Sequence, residues 1–230
     1  MRHVPPPRVR GGLAVRLASL AFGLLLCAFA IVLTLEADLG LSPWDVLHQG
    51  IAERTPLSFG LASVAVGVVV VAAAWRLGAR IGIGTLANAT VIGGFIDLLL
   101  SFEAVERLSE SSLGVRIGLL ALGIALFGLG SGFYIGADLG AGPRDSLMIV
   151  VARRGDMRLG LARAITEVGA LGAGIALGGM FGAGTLAFAL LIGPSVELGF
   201  FLLARSPLSR RAPERRTVAT ALSSPTDPAA

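Results

Sequence analysis

Long apolar runs separated by short polar segments make up most of this chain. A transmembrane helix needs about 20 mostly apolar residues, and the sequence contains six runs of about that length. The fifth run is interrupted by Arg163 and Glu167 and is the weakest of the set. The pattern predicts an all-α membrane protein with six transmembrane helices, at about residues 17–35, 57–75, 82–100, 117–135, 159–177 and 183–204.

The two halves of the chain are copies of one another. Residues 37–47, ADLGLSPWDVL, are matched by residues 137–147, ADLGAGPRDSL. Aligned without gaps, residues 13–100 and 113–200 are identical at 32 of 88 positions, which indicates an internal duplication. Each copy holds three predicted spans, and because three is an odd number the second copy enters the membrane from the opposite side. We therefore predict two inverted three-helix repeats.

This duplication sets the predicted domain boundaries. The first three-helix repeat covers residues 13–112 and the second covers residues 113–205. We expect residues 1–12 to form a cytoplasmic N-terminal segment. Residues 206–230 are rich in Arg, Pro, Ser, Thr and Ala, so we predict a disordered cytoplasmic tail.

The repeated phrase contains a helix-start signal. In the first copy Ser42 is a suitable N-cap, Pro43 suits the first helical position, and Asp45 can bond back to the backbone of the cap. This signal predicts a short helix over about residues 43–53. This helix is too short to span the membrane. We expect it to carry Trp44 in an outer loop, where an aromatic side chain can anchor the membrane interface.

The second copy keeps the same signal with a weaker cap. Gly142 replaces the serine, whereas Pro143 and Asp145 are retained, which predicts a second short helix over about residues 143–153. We expect its Arg144 to face the cytoplasm. Each short helix is about 16 Å long, so it either lies along the interface or enters the protein as a re-entrant segment. The pair either orients the adjacent spans or flanks a pathway.

A second repeated motif forms most of the third span of each copy. Residues 82–97, GIGTLANATVIGGFID, match residues 182–197, GAGTLAFALLIGPSVE. The motif lacks the lysine of a phosphate-binding loop, so we interpret Thr85 and Thr185 as parts of structural helix starts. Small residues at a spacing of four let membrane helices pack closely, and we expect this at Gly128, Gly132, Gly136, Gly174 and Gly178.

Composition and charge support a membrane location and give an orientation. Hydrophobic residues make up 54% of the chain, charged residues only 15%, and the mean hydropathy is +0.81. With the N-terminus inside, 16 of the 19 arginines fall in cytoplasmic segments. Arg54, Arg107 and Arg116 are the exceptions. We therefore predict a multi-pass membrane protein with both termini in the cytoplasm.

Polar residues at predicted membrane depth are the candidate pathway or ligand residues. Asp97 and Glu197 are repeat mates near the ends of the third and sixth spans, and they serve either ion entry and exit or helix capping. Glu167 lies four residues after Arg163, which favours a neutralising ion pair. The full candidate set is Asp45, Asn88, Asp97, Asp145, Arg163, Glu167 and Glu197.

Several classes of site are disfavoured by the residue inventory. The chain has one cysteine and two histidines, too few and too scattered for a metal centre. No zinc signature or nucleophile elbow is present, so we expect no catalytic residues and no enzyme activity. The arginines lie between apolar runs and not on one face, which argues against a nucleic-acid partner. We expect no cofactor.

The doubled PWD/PRD and GTL motifs resemble those of the YczE/YitT-like family of bacterial integral membrane proteins. The resemblance extends over about residues 13–204, and LGLSPWDVLHQGI and GIGTLANATVIGGFID are its most specific parts. It implies an inner-membrane protein with several spans. The function of that family is poorly defined, so the resemblance supplies no catalytic residue.

Two functions remain open on the sequence. The inverted repeat, the paired short helices and the mated carboxylates favour a secondary transporter or channel for a small solute. Sparse polarity within the membrane and abundant glycine favour a non-transport accessory or scaffold protein. The expected partners are the lipid bilayer and an unknown small solute, and the formation of a homo-oligomer is left open.

Overall fold

A computed structural model of the chain describes residues 7–210. Within this range the chain forms nine α-helices, one turn of 3-10 helix at Arg107–Glu110 and two short strands, so the all-α class is confirmed. The helices are α1 Leu13–Glu36, α2 Pro43–Arg54, α3 Phe59–Arg76, α4 Ile83–Leu100, α5 Glu103–Glu106, α6 Leu113–Gly136, α7 Pro143–Arg154, α8 Leu159–Ala176 and α9 Ala183–Arg205.

Five helices of the described residues are long and apolar enough to cross a membrane. These are α1, α3, α4, α6 and α9, each at one of the predicted spans. The fifth predicted span forms α8, which is not among these five. The structure therefore supports a protein integrated in the membrane through several helices.

The helices of the second half repeat those of the first with an offset of 100 residues. Helices α1 and α6 each have 24 residues, α2 and α7 each have 12, and α3 and α8 each have 18. Helices α4 and α9 begin at mated positions, but α9 continues for 23 residues where α4 stops after 18. Helix α5 and the 3-10 turn connect the two halves.

The central contact of the fold is an antiparallel packing of α1 against α6. Gly23 lies so close to the backbone of α6 that a Cβ atom there would be 2.5 Å from the nitrogen of Tyr134. Its mate Gly123 lies in the same way against α1, where a Cβ atom would be 2.9 Å from the oxygen of Ala30. The start of each helix therefore packs against the end of the other, with backbones in close contact.

The first half of the repeated phrase, Ala-Asp-Leu-Gly, forms a left-handed turn after α1 and again after α6. The φ angles are +48° at Asp38 and +113° at Gly40, and +55° at Asp138 and +132° at Gly140. Glycine enters this region without strain, and aspartate is one of the few other residues that do so often. This backbone requirement explains why both copies keep the phrase.

Each turn is held by an arginine from the other half of the chain. Arg116, at the start of α6, donates to the carbonyl oxygen of Ala37 at 2.8 Å and to the carboxylate of Asp38 at 2.6 Å. Arg16, at the start of α1, donates to the carbonyl oxygen of Ala137 at 2.7 Å. These arginines satisfy carbonyl groups that a helix end leaves without a partner.

The same turns dock on the starts of α4 and α9. The N–H of Gly184 donates to the oxygen of Leu39 at 2.6 Å, and the N–H of Gly84 donates to the oxygen of Leu139 at 2.9 Å. The first turn thus contacts the second half, and the second turn contacts the first half. The two halves are joined by reciprocal contacts.

The threonines of the second repeated motif lie in the first turns of α4 and α9 and cap the starts of these helices. The hydroxyl of Thr85 accepts the N–H of Gly82 at 3.2 Å, and the hydroxyl of Thr185 accepts the N–H of Gly182 at 3.3 Å. Both threonines are buried. Their side chains satisfy backbone donors at the two helix starts.

Glycines at a spacing of four form the contact of α6 with α9, as the sequence predicts. A Cβ atom at Gly128 would lie 2.1 Å from the hydroxyl of Ser195, and one at Gly132 would lie 2.9 Å from the backbone of Gly199. At Gly136 the added atom would meet Leu203. The prediction of close packing by small residues is confirmed on this face.

The ordered part of the C-terminal segment extends beyond the predicted start of the disordered tail. Strand β1, Arg8–Val9, pairs in antiparallel fashion with strand β2, Ser209–Arg210. Backbone pairing of the two ends gives residues 206–210 a defined position, which the polar composition of the tail did not predict. The rest of the predicted tail, 211–230, lies outside the described residues, as do residues 1–6.

Replacement of Gly132 by alanine should destabilise the protein through the contact of α6 with α9. The added methyl group meets backbone, which cannot move aside alone, so we expect a loss of about 1 to 3 kcal/mol in the free energy of unfolding. Gly118→Ala on the same helix is the control, because a Cβ atom there has no neighbour within 4 Å. Thermal denaturation in detergent compares the two, and equal melting temperatures would contradict this packing.

Candidate functional site

The two short helices begin at one cavity, which is partly open to the outside of the protein. The cavity has a volume of about 160 Å³, and its wall includes Ser42, Pro143 and Gly142. At the start of α2 the N–H of Asp45 donates to the hydroxyl of Ser42 at 3.3 Å, with Pro43 at the first helical position. The starts of α2 and α7 therefore lie at the same cavity.

Mated residues from the two halves line this cavity together. Pairs on the wall include Ile31 and Ser131, Trp44 and Arg144, Ser63 and Arg163, Gly67 and Glu167, Asn88 and Phe188, and Ile92 and Ile192. The wall is therefore formed by equivalent positions of the two halves.

An ion pair between a buried carboxylate and a partly exposed guanidinium joins the two helix starts at the cavity. The Arg144 Nη2 lies 3.2 Å from Oδ1 of Asp45, a carboxylate that is only 1% exposed. The hydroxyl of Ser42 donates to the other carboxylate oxygen. The His48 Nδ1 also lies 3.2 Å from Asp45 Oδ1, but without the alignment of a hydrogen bond. This carboxylate is thus held by groups from both halves.

Trp44 lies beneath the same guanidinium. The centre of the Arg144 guanidinium is 5.5 Å from the centroid of the Trp44 ring, within the range of a cation–π contact. The ring packs against Val70 and Ala170, which are repeat mates. Its indole Nε1 is buried and has no hydrogen-bond partner among the described residues.

These positions correct the expectation that Trp44 and Arg144 lie on opposite sides of the membrane. Trp44 does not anchor an outer interface, because only 5% of its surface is exposed and it lies at the cavity. Arg144 lies beside it and binds Asp45, with part of its side chain exposed. The two mated residues therefore meet at the cavity.

The second helix start has a different partner. Asp145 lines the cavity and accepts a hydrogen bond of 2.8 Å from the hydroxyl of Tyr134. The mate of Tyr134 is Thr34, whose hydroxyl donates to its own helix at Ile31 and not to Asp45. The two aspartates of the repeated phrase therefore occupy mated positions with different chemistry, an ion pair for one and a phenol for the other.

Helix α8 contributes two further charged groups to the wall. Arg163 and Glu167 both line the cavity, as does Asn88 from α4. The neutralising ion pair expected between Arg163 and Glu167 is not found within 4 Å in the described part of the chain, so this expectation is corrected. Arg163 is exposed and Glu167 is half-buried.

The mated carboxylates Asp97 and Glu197 lie away from the cavity wall. Asp97 accepts hydrogen bonds from the hydroxyl of Ser58 and, at 2.8 Å, from the N–H of Gly60, so it caps the start of α3. Glu197 is exposed on α9. The structure does not bring either residue to the other candidates. For Asp97 the geometry is that of helix capping, one of the two alternatives raised by the sequence.

Sequence reasoning missed several residues of the wall, including His48, Ser131, Tyr134 and Cys27. His48 could have been found, because it lies three residues after Asp45 and therefore on the same face of α2. Tyr134 is the single tyrosine of the chain, but nothing in its spacing indicates Asp145. Within residues 7–210, no group of three His, Cys, Asp or Glu side chains is placed to hold a metal ion.

Comparison with known proteins places the chain among uncharacterised relatives. The model of DUF6198, a family of unknown function, matches residues 14–200. The chain is 34% identical over 188 residues to an uncharacterized protein of Haemophilus influenzae, covering 82% of this chain and 84% of that protein. It is 35% identical over 210 residues to the uncharacterized membrane protein YczE of Bacillus subtilis, covering 88% and 93%.

A further relative is the uncharacterized protein YyaS of Bacillus subtilis, which is 27% identical over 190 residues and covers 82% of this chain and 94% of that protein. No solved structure matches the chain. The comparisons therefore support a membrane protein and assign no activity.

Removal of the Arg144 guanidinium should destabilise the protein because it leaves Asp45 buried without a cation. We expect Arg144→Ala to lower the free energy of unfolding by about 3 kcal/mol. Adding Asp45→Asn should restore part of that loss, since the amide carries no charge. The control is Arg163→Ala, which removes a guanidinium that forms no ion pair within 4 Å in the described residues. Thermal denaturation of the four proteins measures the effect, and a double variant less stable than Arg144→Ala would contradict the ion pair.

Proposed function

Because the chain belongs to the DUF6198 family, a family of unknown function, we propose its activity from the geometry alone: a secondary transporter or channel for a small solute. The observation that carries the proposal is the cavity at the meeting point of the two halves, with charged and polar side chains on its wall. Ionisable groups within a membrane protein are costly and commonly mark substrate or ion pathways. A binding site between structural repeats is the arrangement found in many secondary transporters.

The proposed architecture is six transmembrane helices in two inverted repeats. Helix α8 is the fifth of these spans along the chain and is the repeat equivalent of α3. The antiparallel packing of α1 and α6 supports it, because an axis relating two antiparallel membrane helices lies in the membrane plane. The short helices α2 and α7 are proposed to be re-entrant and not interfacial. Their starts lie at the cavity, and irregular backbone at membrane depth is tolerated where it is buried in protein or lines a cavity.

The proposed orientation places both termini in the cytoplasm of a bacterial inner membrane. Arg144 is engaged by Asp45 and is not counted as a loop charge, so 15 of the remaining 18 arginines fall on the cytoplasmic side. Arg153 and Arg154 support this side for the end of α3, since both donate to the carbonyl oxygen of Leu77.

Transport accounts for the cavity better than the alternative of an accessory or scaffold protein. A scaffold needs packed helices and gains nothing from charged groups around an internal space. We also propose that the chain is not an enzyme. The residues that line the cavity are equivalent positions of the two halves, and a transport pathway uses both halves. The bilayer and a small solute are the proposed partners.

The proposal can be tested by the accessibility of the cavity from each side of the membrane. Ser63 lies on the wall, and Ser63→Cys in a Cys27→Ala background gives a single thiol there. A transporter or channel connects the cavity with both compartments. A membrane-impermeant thiol reagent should therefore modify position 63 in both right-side-out and inside-out vesicles.

The matched control is a single cysteine at Leu190, which is 77% exposed on α9. In a membrane-embedded protein that side chain faces lipid, so the water-soluble reagent should not modify it. Modification of position 63 from neither side would favour a scaffold. Modification from one side only would show a closed crevice, and it would likewise contradict transport.

A further inference from the structure

The paired strands β1 and β2 belong to a basic surface beside two membrane helices. Strand β1 precedes α1 and β2 follows α9, and both helices are long and apolar enough to cross a membrane. In a membrane the strand pair therefore lies next to the ends of two spans. The segments that meet there, residues 7–17, 133–140 and 200–210, contain five arginines and one aspartate, which leaves a net charge of +4.

The backbone of this basic surface is held in place by the fold. Val9 is buried and lies against Gly136, at the end of α6. Next to it, the N–H of Arg10 donates to the carbonyl oxygen of Leu208 at 2.5 Å. The arginines on this backbone are therefore presented at defined positions.

Two of the guanidinium groups on the surface have no anion from the protein. Arg8 and Arg16 share the carboxylate of Asp138, at 3.3 Å and 3.8 Å. Arg10 and Arg205 are both exposed, and in the part of the chain that the structure describes neither forms an ion pair within 4 Å. Their charges are therefore available to an anion from outside the protein.

The contact of Arg205 with an aromatic ring indicates where that anion lies. The centre of its guanidinium is 3.8 Å from the centroid of the Phe201 ring, a cation–π contact. Phe201 lies on α9 one turn earlier and is 48% exposed, so its ring faces lipid in a membrane. An arginine at the end of a span extends its charged group to the level of the lipid headgroups. The groups that surround Arg205 at this level are phosphates.

The corresponding segment on the other side of the fold shows that the basic charge is not required for folding. Residues 101–112 join the end of α4 to the start of α6, the repeat mates of α9 and α1. This segment contains three glutamates and one arginine, a net charge of −2. Its Arg107 is paired with Glu103. Because the same helix ends are formed with the opposite charge, the arginines beside α1 and α9 need another explanation.

We propose that this basic surface binds the headgroups of anionic phospholipids in the leaflet that it faces, with Arg10 and Arg205 as ligands of the phosphates. Guanidinium groups bind phosphate oxygens through paired N–H donors, and basic clusters directly beside membrane spans attract anionic headgroups. In the proposed orientation this leaflet is the cytoplasmic one. The inference is independent of the proposed transport function.

Lipid binding to the full-length protein in a non-ionic detergent tests the proposal. Phosphatidylglycerol and phosphatidylcholine with the same acyl chains are titrated separately, and bound lipid is measured by native mass spectrometry. Phosphatidylglycerol should bind about fivefold more tightly or better, because its net negative charge is not offset by a choline group.

Two variants and a matched control assign the contacts. Arg10→Gln and Arg205→Gln should each weaken phosphatidylglycerol binding by about fivefold and leave phosphatidylcholine binding unchanged. Both side chains are exposed, so both variants should fold. Arg107→Gln is the control, because it removes an exposed arginine from the acidic segment on the other side of the fold. It should leave the binding of both lipids unchanged.

Equal binding of the two lipids by the unchanged protein would overturn the proposal. Losses in Arg107→Gln as large as those in Arg10→Gln and Arg205→Gln would do the same, since the effect would then follow from total charge and not from this surface. Tighter binding of a glutamate-rich peptide than of phosphatidylglycerol would assign the surface to an acidic protein instead. The accessibility of position 63 tests transport separately from all of these outcomes.

Discussion

The fold depends on the reciprocal docking of the two Ala-Asp-Leu-Gly turns. Each turn ends a long helix of one half, and an arginine from the other half holds its carbonyl oxygens. Each turn also accepts a backbone hydrogen bond from a helix start in the opposite half. The docking accompanies the antiparallel packing of α1 against α6 and directs the chain after each turn toward the cavity. For this reason α2 and α7 begin at one cavity, and neither half can form that cavity alone.

The two halves have kept the contacts that build the fold and have diverged at the cavity. Arg16 and Arg116, like the aspartates of the two turns, make equivalent contacts in both halves. At the cavity the equivalent residues differ in chemistry: Trp44 of the first half corresponds to Arg144 of the second, and Gly67 corresponds to Glu167. The halves thus differ at these cavity positions while the contacts of the two turns stay the same in both. The proposed solute site therefore lies where the symmetry of the sequence fails.

The sequence predicted local structure well and the meeting of distant residues poorly. Helix bounds followed from the length of the apolar runs and from the Ser-Pro start at Ser42, because caps and apolar length act over a few residues. The convergence of Trp44 and Arg144 depends on tertiary packing, and no local sequence pattern indicates it. The mated carboxylates Asp97 and Glu197 were candidates because both halves retain a carboxylate there, yet most mated pairs on the cavity wall differ between the halves, with Ile92 and Ile192 as an unchanged pair. Tyr134 bonds Asp145 through a tertiary contact that no spacing rule indicates.

The central claim is that the two short helices start at the same cavity of the protein. Leu47 on α2 and Leu147 on α7 both pack against the cluster formed by Trp44, Val70 and Ala170. The direct measurement is cross-linking of Leu47→Cys to Leu147→Cys by a short bifunctional thiol reagent in a Cys27→Ala background, with Leu47→Cys and Leu190→Cys as the control pair. Our account predicts an intramolecular cross-link in the first pair and none in the control. Absence of a cross-link in the first pair, as expected for helix starts on opposite faces of a bilayer core about 30 Å thick, would contradict it.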